Sequence, residues 1–330
     1  MRLLAVETRR YFSRWAIRGG LALIAVFTLL VCVGFFLSTT PVTAAQIDTA
    51  EAELAAALED WEEHGEEWIA ECLEFEAQAR EEFDDPDMID HGCDHLEPRL
   101  EHYLPWQTTQ EELESDMFGS GILLALPLVF ALAVTFMAAE FSSETMSTWL
   151  TFEPRRQRVY FSKLISGSVI SMVVIAIVST ILWAAARGII RYWDLNVSPH
   201  DNFAWIEIGN SFEAALRFSL LGLFVGAVGI ALATVVRHTA AGLGIAAGYL
   251  IAEGTASGIH GPLARFSILK HLEGVMMGGS SYYVEECAPQ GGCQYNSVPI
   301  EFSTSVTVVI AVAVVFIALG AWQMQRRDVT

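Results

Sequence analysis

Long apolar runs without charged residues alternate along the chain with polar segments. A charge at the centre of a bilayer costs roughly 2.5–3.5 kcal/mol, so charged residues mark where a membrane span ends. A helix of about 20 residues, rising about 1.5 Å per residue, crosses a hydrocarbon core of about 30 Å. The pattern predicts an all-α polytopic membrane protein with six transmembrane helices, at residues 19–38, 118–139, 164–186, 213–236, 239–258 and 303–325.

The fourth and fifth of these predicted helices contain features of their own. The pairs Gly222-x-x-x-Gly226 and Gly244-x-x-x-Gly248 predict close helix packing. Glu253 lies near the end of the fifth helix, and carboxylates inside spans often mark a substrate or ion pathway. Glu253 is therefore a candidate pathway residue, and the alternative is a helix-end carboxylate in contact with water.

A seven-residue repeat of apolar side chains predicts one long helix over residues 44–82. The repeating positions are Ile47, Leu54, Trp61, Trp68 and Phe75. Such a seam packs against another helix, which residues 94–104 can supply. We therefore expect a helical hairpin within the segment 39–117, acting either as a cap on the protein or as a lid that handles substrate.

A second amphipathic element is predicted in the segment 259–302. Apolar residues recur there every three to four positions from Leu263 to Met276. This spacing predicts an amphipathic helix, which either lies at the membrane interface or re-enters the membrane.

The composition agrees with a membrane protein, since 53% of the residues are hydrophobic and 18% are charged, with a mean hydropathy of +0.41. Soluble proteins average about 25% charged residues. The net charge of −20 is concentrated in residues 39–117, where 25 acidic and two basic residues leave the rest of the chain at +3. A surface this acidic repels phosphate, which argues against nucleic acid as a partner.

Lysine and arginine residues predict the orientation, because they are enriched on the cytoplasmic side of membranes. With both termini inside, 12 basic residues fall on the inner side, in the segments 1–18, 140–163, 236–238 and 326–330. The outer segments 39–117, 187–212 and 259–302 contain six. The apolar run at 19–38 exceeds the 7–15 residues typical of a signal peptide, so a retained membrane anchor is favoured over cleavage.

Four of the five cysteines fall in two pairs within predicted outer segments. Because an oxidising exterior favours disulfides, we predict Cys72–Cys93 and Cys287–Cys293, with free thiols as the alternative. The histidines close to Cys93 lack the ligand spacing of zinc sites, so no metal site is predicted.

Catalytic motifs are missing from the chain, which has neither Gly-x-Ser-x-Gly nor His-Glu-x-x-His. The lysine of a phosphate-binding P-loop is followed by Ser or Thr. Here the only two lysines, Lys163 and Lys270, are followed by Leu and His. We therefore expect no enzymatic activity and no cofactor on this chain, so that any nucleotide energy comes from another polypeptide.

The segment between the second and third predicted spans has the pattern of a docking element. Ser142 or Ser143 can cap a short helix that reaches about Phe152, and Pro154 ends it. Three arginines and Lys163 follow and mark the membrane edge. A short helix that stands off the membrane suits a soluble partner, and the alternative is an ordinary positive-inside loop.

At these positions the sequence resembles ABC-2 type (type V) permeases, the transmembrane subunits of ABC exporters. The family has an acidic residue after the second span, a Thr-x-x-x-Leu-like helix, Pro-x-Arg and a lysine that opens the third span. The matching residues are Glu140, Thr145, Leu150, Pro154, Arg156 and Lys163, with Glu144 in place of the usual glycine. Residues 1–18 resemble the family's amphipathic connecting helix, and Leu263 to Gly278 resembles its re-entrant outer helices.

The resemblance implies a half-transporter in a bacterial cell membrane, surrounded by lipid and paired with a second copy or a related permease. Separate cytoplasmic ABC ATPase subunits, which bind ATP and Mg, would drive it through a coupling helix at residues 142–152. The implied ATPase-coupling residues are Glu140, Ser143, Glu144, Thr145, Trp149, Leu150, Pro154, Arg155, Arg156 and Lys163.

The implied function is export of an amphipathic or hydrophobic substrate, such as a drug, an antimicrobial peptide or a lipid-like molecule. Two alternatives differ in class. A membrane sensor would bind a ligand or protein with its acidic outer hairpin. An intramembrane enzyme would need polar groups at membrane depth, and the second, third and sixth spans contain no charged residue.

Overall fold

The computed structural model describes residues 2–82, 92–105, 108–142, 155–193, 211–259, 261–287 and 293–326. Its helices are α1 (Arg2–Ser13), α2 (Trp15–Ser38), α3 (Ala44–Glu82), α4 (Leu100–Tyr103), α5 (Gln110–Ser142), α6 (Arg156–Trp193), α7 (Ser211–Val236), α8 (Thr239–Ile259), α9 (Ile268–Met277) and α10 (Phe302–Arg326). Its strands are β1 (Gly279–Cys287) and β2 (Cys293–Glu301). The predicted polytopic, mainly helical membrane protein is therefore what the chain forms.

Five helices in the described ranges are long and apolar enough to cross a membrane, namely α2, α5, α6, α7 and α10. Helix α8 corresponds to the predicted span 239–258 and has 21 residues. It is not among the five, and glycine, alanine and threonine occupy many of its positions, with Glu253 within it. The predicted count of six spans stays a prediction.

The helices divide between two compact units. One unit contains α1, α2 and most of the chain from α5 onward, whereas the other contains α3 and α4. In the second unit, the predicted Cys72–Cys93 disulfide joins α3 to a 3₁₀ turn at Cys93–His95. The expected helix at 94–104 is shorter than predicted, since only α4 is α-helical there.

Helix α7 is the central helix of the first unit. A Cβ on Gly226 would lie 3.1 Å from the Cα of Ser168 on α6, and a Cβ on Gly229 would lie 3.2 Å from the carbonyl oxygen of Phe130 on α5. Helix α7 also packs against α9 and α10. Because helices in lipid gain from close van der Waals contact, small residues at these positions let α5 and α6 approach α7 closely.

The two Gly-x-x-x-Gly pairs differ in their surroundings. Gly222 and Gly226 lie against Ile175 and Ser171 of α6, as the close-packing prediction requires. Gly244 and Gly248 of α8 have no atom within 4 Å of an added Cβ. Only the first pair therefore supports packing within the described chain.

Helices α5 and α6 extend beyond the predicted spans 118–139 and 164–186, because they contain 33 and 38 residues. Their additional turns hold charged residues that find partners. Arg187 Nε donates to Glu114 Oε1 at 2.9 Å, which joins the start of α5 to the end of α6. Glu114 and Arg187 are therefore paired, and the bounds of the two spans stay a prediction.

The segment 259–302 departs most from the sequence prediction. Its apolar stripe forms a 3₁₀ helix at Gly261–Phe266 and then α9, with Ser267 as the N-cap of α9. The chain continues into an antiparallel β-hairpin, in which Gly279 pairs with Glu301 and Cys287 pairs with Cys293. The all-α prediction is therefore wrong for this hairpin. The register brings the two cysteine backbones opposite each other, and their disulfide stays a prediction.

Replacement of Gly226 by leucine tests the packing of α7. Gly226→Leu should lower the free energy of unfolding by about 1–3 kcal/mol, because the new side chain meets the backbone of α6. The matched control is Gly248→Leu, which meets open space and should leave stability unchanged. Thermal unfolding in detergent micelles, followed by circular dichroism, measures both. An equal loss in the two variants would contradict this packing.

Candidate functional site

Four charged side chains from three parts of the first unit meet in one cluster. Lys163 Nζ of α6 lies 2.8 Å from Glu7 Oε2 of α1 and 2.5 Å from Glu140 Oε2 of α5. Arg14, which directly follows α1, donates from Nη2 to Glu140 Oε1 at 3.0 Å. We name Glu7, Arg14, Glu140 and Lys163 the charge cluster. It connects the end of α5, the start of α6 and the start of the chain.

The charge cluster is buried and electrically balanced. The side chain of Lys163 is 0% exposed, and those of Glu7 and Glu140 are 1% exposed, whereas Arg14 is 23% exposed. Acidic and basic groups alternate from Glu7 through Lys163 and Glu140 to Arg14. Buried ions are tolerated when each has a partner of opposite charge, because removal of one partner leaves the other desolvated and unpaired.

Aromatic rings surround the charge cluster. The Phe136 ring of α5 lies 5.5 Å from the Arg14 guanidinium carbon and 5.4 Å from Lys163 Nζ, so its face contacts both cations. Arg14 Nη1 also donates to the carbonyl oxygen of Phe136 at 2.9 Å. The Tyr11 ring packs on Phe136 with 4.8 Å between centroids, and burial raises the pKa of its hydroxyl.

Helical spacing explains why these side chains meet. Glu7 and Tyr11 are four residues apart on α1, and Phe136 and Glu140 are four residues apart on α5. Residues four apart lie on one face of a helix, so each helix presents one aromatic and one acidic side chain to the other. Lys163, near the start of α6, then lies between the two carboxylates.

Further contacts hold the same ends of α5 and α6. The guanidinium of Arg237 lies 5.1 Å from the ring centroid of Phe141, next to Glu140. Arg237 connects α7 to α8 and has a positive φ of 58°. On α6, Gln157 Nε2 donates to Ala321 O at 3.0 Å, and Tyr160 donates to Ile317 O at 3.0 Å. The two helix ends that flank residues 143–154 are thus each fixed by neighbouring elements.

The structure brings together two of the predicted coupling residues and describes two more. Glu140 and Lys163 are in direct contact. The side chain of Lys163 is buried between its two carboxylate partners, and its place at the membrane edge stays a prediction. Arg155 and Arg156 border an open cleft of about 640 Å³ together with Gln157, Arg158 and Gln325. The remaining predicted residues lie outside the described residues: Ser143, Glu144, Thr145, Trp149, Leu150 and Pro154.

Glu7 and Arg14 belong to the charge cluster although sequence reasoning did not assign them to a site. The sequence signal that could have revealed the charge cluster is Lys163. It stands at the start of an apolar run, and a lysine that is buried there needs a carboxylate partner. The resemblance on which the sequence analysis drew suggests Glu140 as one candidate. Only the fold reveals the other contacts, because Glu7 and Lys163 are 156 positions apart in the sequence.

Glu253, the candidate pathway residue, caps a helix in the structure. Its Oε1 accepts a hydrogen bond from the backbone N–H of Leu269 at 2.9 Å and contacts the hydroxyl of Ser267. Ser267 in turn accepts from the N–H of Lys270 at 2.9 Å. A carboxylate at a helix N-terminus accepts hydrogen bonds from N–H groups that have no partner within the helix, and the helix dipole stabilises its negative charge. This contact joins α8 to α9, and the pathway role stays a prediction.

The two lysines of the chain provide a matched test of the charge cluster. Lys163→Met should lower the free energy of unfolding by about 3–5 kcal/mol, because it leaves two buried carboxylates without their shared cation. Lys270→Met removes a half-exposed pair with Glu273 and should cost about 0–1 kcal/mol. Thermal unfolding in detergent measures the difference.

A second variant separates the charge effect from lost packing. Glu7→Gln combined with Lys163→Met leaves Glu140 paired with Arg14, so the double variant should recover part of the stability lost in Lys163→Met. If the two replacements are additive, the pair is not coupled and the charge cluster does not act as described.

One family model matches the chain over residues 106–330, and it is described as "Protein of unknown function (DUF2705)". No curated protein and no solved structure matches the chain. The matched range contains α5 to α10, and with them Glu140 and Lys163, whereas Glu7, Arg14 and α3 precede it. Because this range is more than half of the 330 residues, the chain belongs to the DUF2705 family.

Proposed function

We propose that the chain is the permease subunit of an ATP-driven exporter of the ABC-2 type. In this proposal it spans the cell membrane of a bacterium six times, with α8 as the fifth span and both termini in the cytoplasm. It forms the translocation pathway with a second copy or a related permease. Separate ATPase subunits supply the energy, and the substrate is amphipathic or hydrophobic.

The charge cluster is the observation that carries the proposal. The residues that resemble the acidic and lysine positions of permeases, Glu140 and Lys163, are 2.5 Å apart and buried together. They stand at the two ends of the segment that would dock the ATPase. Glu7 and Arg14 belong to the stretch that resembles the connecting helix, so three regions that resemble permease motifs lie in contact, which supports the proposal.

The geometry suits the transmission of force from a docked subunit. A short helix pushed by a partner moves its membrane helices only if its ends are firmly held. The end of α5 is held by Arg14 and Arg237, and the start of α6 by Glu7 and by the contacts of Gln157 and Tyr160 with α10. A push on residues 142–152 would therefore reach α1, α5, α6 and α10 together.

A sensor remains the second candidate, favoured by one observation. Helix α3 has 39 residues, and its surface carries exposed Trp68 and Phe75 among many glutamates. A ligand- or protein-binding surface of this kind would serve a receptor as well as an exporter. The two functions differ in their need for an ATPase.

Stimulation of an ATPase tests the exporter proposal. The tagged chain should co-purify with an ABC ATPase, and reconstitution of both in liposomes should raise the rate of ATP hydrolysis above that of the ATPase alone. Trp149→Glu should reduce the stimulation about tenfold, equivalent to about 1.4 kcal/mol of lost docking energy. Trp68→Glu, the same replacement on α3, is the control and should leave stimulation unchanged.

Two results would contradict the exporter proposal. One is the absence of any co-purifying ATPase together with no dependence of ATP hydrolysis on this chain. The other is labelling of Trp149→Cys by an impermeant reagent added to the outside of intact cells, because a cytoplasmic motor cannot reach that side.

A further inference from the structure

The two faces of the β-hairpin differ in their contacts. Successive residues of a strand point to opposite sides, so every second residue lies on the same face. Ser280 and Ile300 lie on the face that packs on α9, where Ser280 Oγ donates to Lys270 O at 2.9 Å and Ile300 is buried. On the other face, Tyr283 is 62% exposed and Tyr295 is 68% exposed. This second face therefore presents two large aromatic side chains to the surroundings.

The two tyrosines belong to a group of four neighbouring residues on the exposed face. Tyr283 pairs with Ser297, and Glu285 pairs with Tyr295, in the register of the hairpin. All four residues are exposed, and we name them the aromatic block. The tyrosines are diagonal neighbours, and such positions in a sheet lie about 7–8 Å apart. Because Ser297 has a small side chain, it takes little of the space between the two rings.

The aromatic block carries a negative charge that no cation of the described chain balances. Tyr295 Oη donates a hydrogen bond to Glu285 Oε1 at 3.1 Å. This hydrogen bond and the charge of the carboxylate raise the pKa of the Tyr295 hydroxyl, so the ring stays uncharged at neutral pH. Among the described residues, no lysine or arginine forms an ion pair with Glu285. The hairpin sequence Gly279–Glu301 contains three glutamates and no basic residue.

Two aromatic rings beside a carboxylate suit a cation that donates no hydrogen bonds. A ring attracts a cation that lies within about 6 Å of its centroid, so a cation between two positions about 7–8 Å apart reaches both rings. A primary ammonium group is strongly hydrated and loses part of that hydration on binding. A guanidinium pairs best with both oxygens of a carboxylate, whereas one oxygen of Glu285 already accepts from Tyr295. The aromatic block therefore favours a quaternary ammonium group.

The position of the aromatic block along the hairpin favours a soluble ligand over a lipid headgroup. Tyr283 and Glu285 lie four and six positions after Gly279, which corresponds to about 14–20 Å along the strand. Helix α10, which is apolar enough to cross a membrane, begins at the base of the hairpin with Phe302. A headgroup beside the start of α10 lies nearer to this base than to the block. We propose that the aromatic block binds soluble quaternary ammonium compounds. This proposal does not rest on the exporter function.

Fluorine NMR of the aromatic block tests the proposal. Fluorotyrosine is incorporated in place of Tyr295 in the full chain, which is purified in micelles of an uncharged detergent. Choline is the probe, and it is titrated against a constant ionic strength. The fluorine signal should shift and saturate as choline binds. The matched ligand is the neutral alcohol in which a carbon atom replaces the choline nitrogen, and it should cause no saturable shift because it lacks the charge.

Matched variants separate the aromatic block from the general charge of the hairpin. Glu285→Gln keeps an acceptor for Tyr295 but removes the charge, and should raise the dissociation constant for choline about threefold. Glu301→Gln removes the same charge from an exposed position about 20 Å along the hairpin, and should leave the constant unchanged. Tyr283→Leu removes one ring and should raise the constant about threefold, whereas Tyr192→Leu, at an exposed tyrosine of α6, should not. Thermal unfolding verifies that all four variants are folded.

Four outcomes would overturn the proposal. A choline titration without a saturable shift, or an equal shift with the neutral alcohol, would mean that the block binds no cation. Equal losses in Glu285→Gln and Glu301→Gln would mean non-specific attraction to negative charge. A shift in phosphatidylcholine nanodiscs without added choline, absent in phosphatidylglycerol nanodiscs, would identify a lipid headgroup as the occupant. A dimer of the chain that dissociates on Tyr283→Leu would mean that a second copy covers the block.

Discussion

The burial of three charged side chains, Glu7, Glu140 and Lys163, among apolar helices is the constraint on which the rest of the structure depends. Lys163 is fully buried, and it is stable there because Glu7 and Glu140 both contact its ammonium group. Arg14 balances the second carboxylate and reaches the solvent. In a setting of low dielectric constant, each pair is strongly coupled, and none of the four can leave without exposing an unpaired charge.

This constraint determines how the chain is assembled around it. The start of the chain, the end of α5 and the start of α6 must meet at one point, although they are far apart in sequence. The small residues of α7 then bring α5 and α6 close to a common centre. The ion pairs of the charge cluster fix the positions of the helices relative to each other, and the apolar packing around α7 supplies contact area. Such an arrangement suits a region where movement of one element has to carry others with it.

The pattern of charge and hydropathy in the sequence predicted the apolar helices. It did not predict contacts or elements that depend on residues far apart in the chain. The apolar runs located five helices that are long and apolar enough to cross a membrane. The turns by which α5 and α6 extend beyond the predicted spans contain the pairs Glu114–Arg187 and Glu140–Lys163, which only the fold brings together. The Cys72–Cys93 disulfide followed from its compartment and is confirmed. The β-hairpin was not predicted, because the helical spacing of the residues before it drew attention away from the tyrosines and valines of its two strands, which are residues that favour β-structure.

The distance between α1 and α6 is the measurement that tests the role of the charge cluster most directly. Spin-labelled unnatural amino acids can be incorporated at Thr8 and Phe161, which are both exposed. Pulsed electron paramagnetic resonance then measures the distance between the two labels. We expect a single narrow distance distribution in the wild type and in Lys270→Met, and a broad one in folded Lys163→Met. A distribution equally narrow in Lys163→Met would contradict the claim that these buried charges hold the helices together.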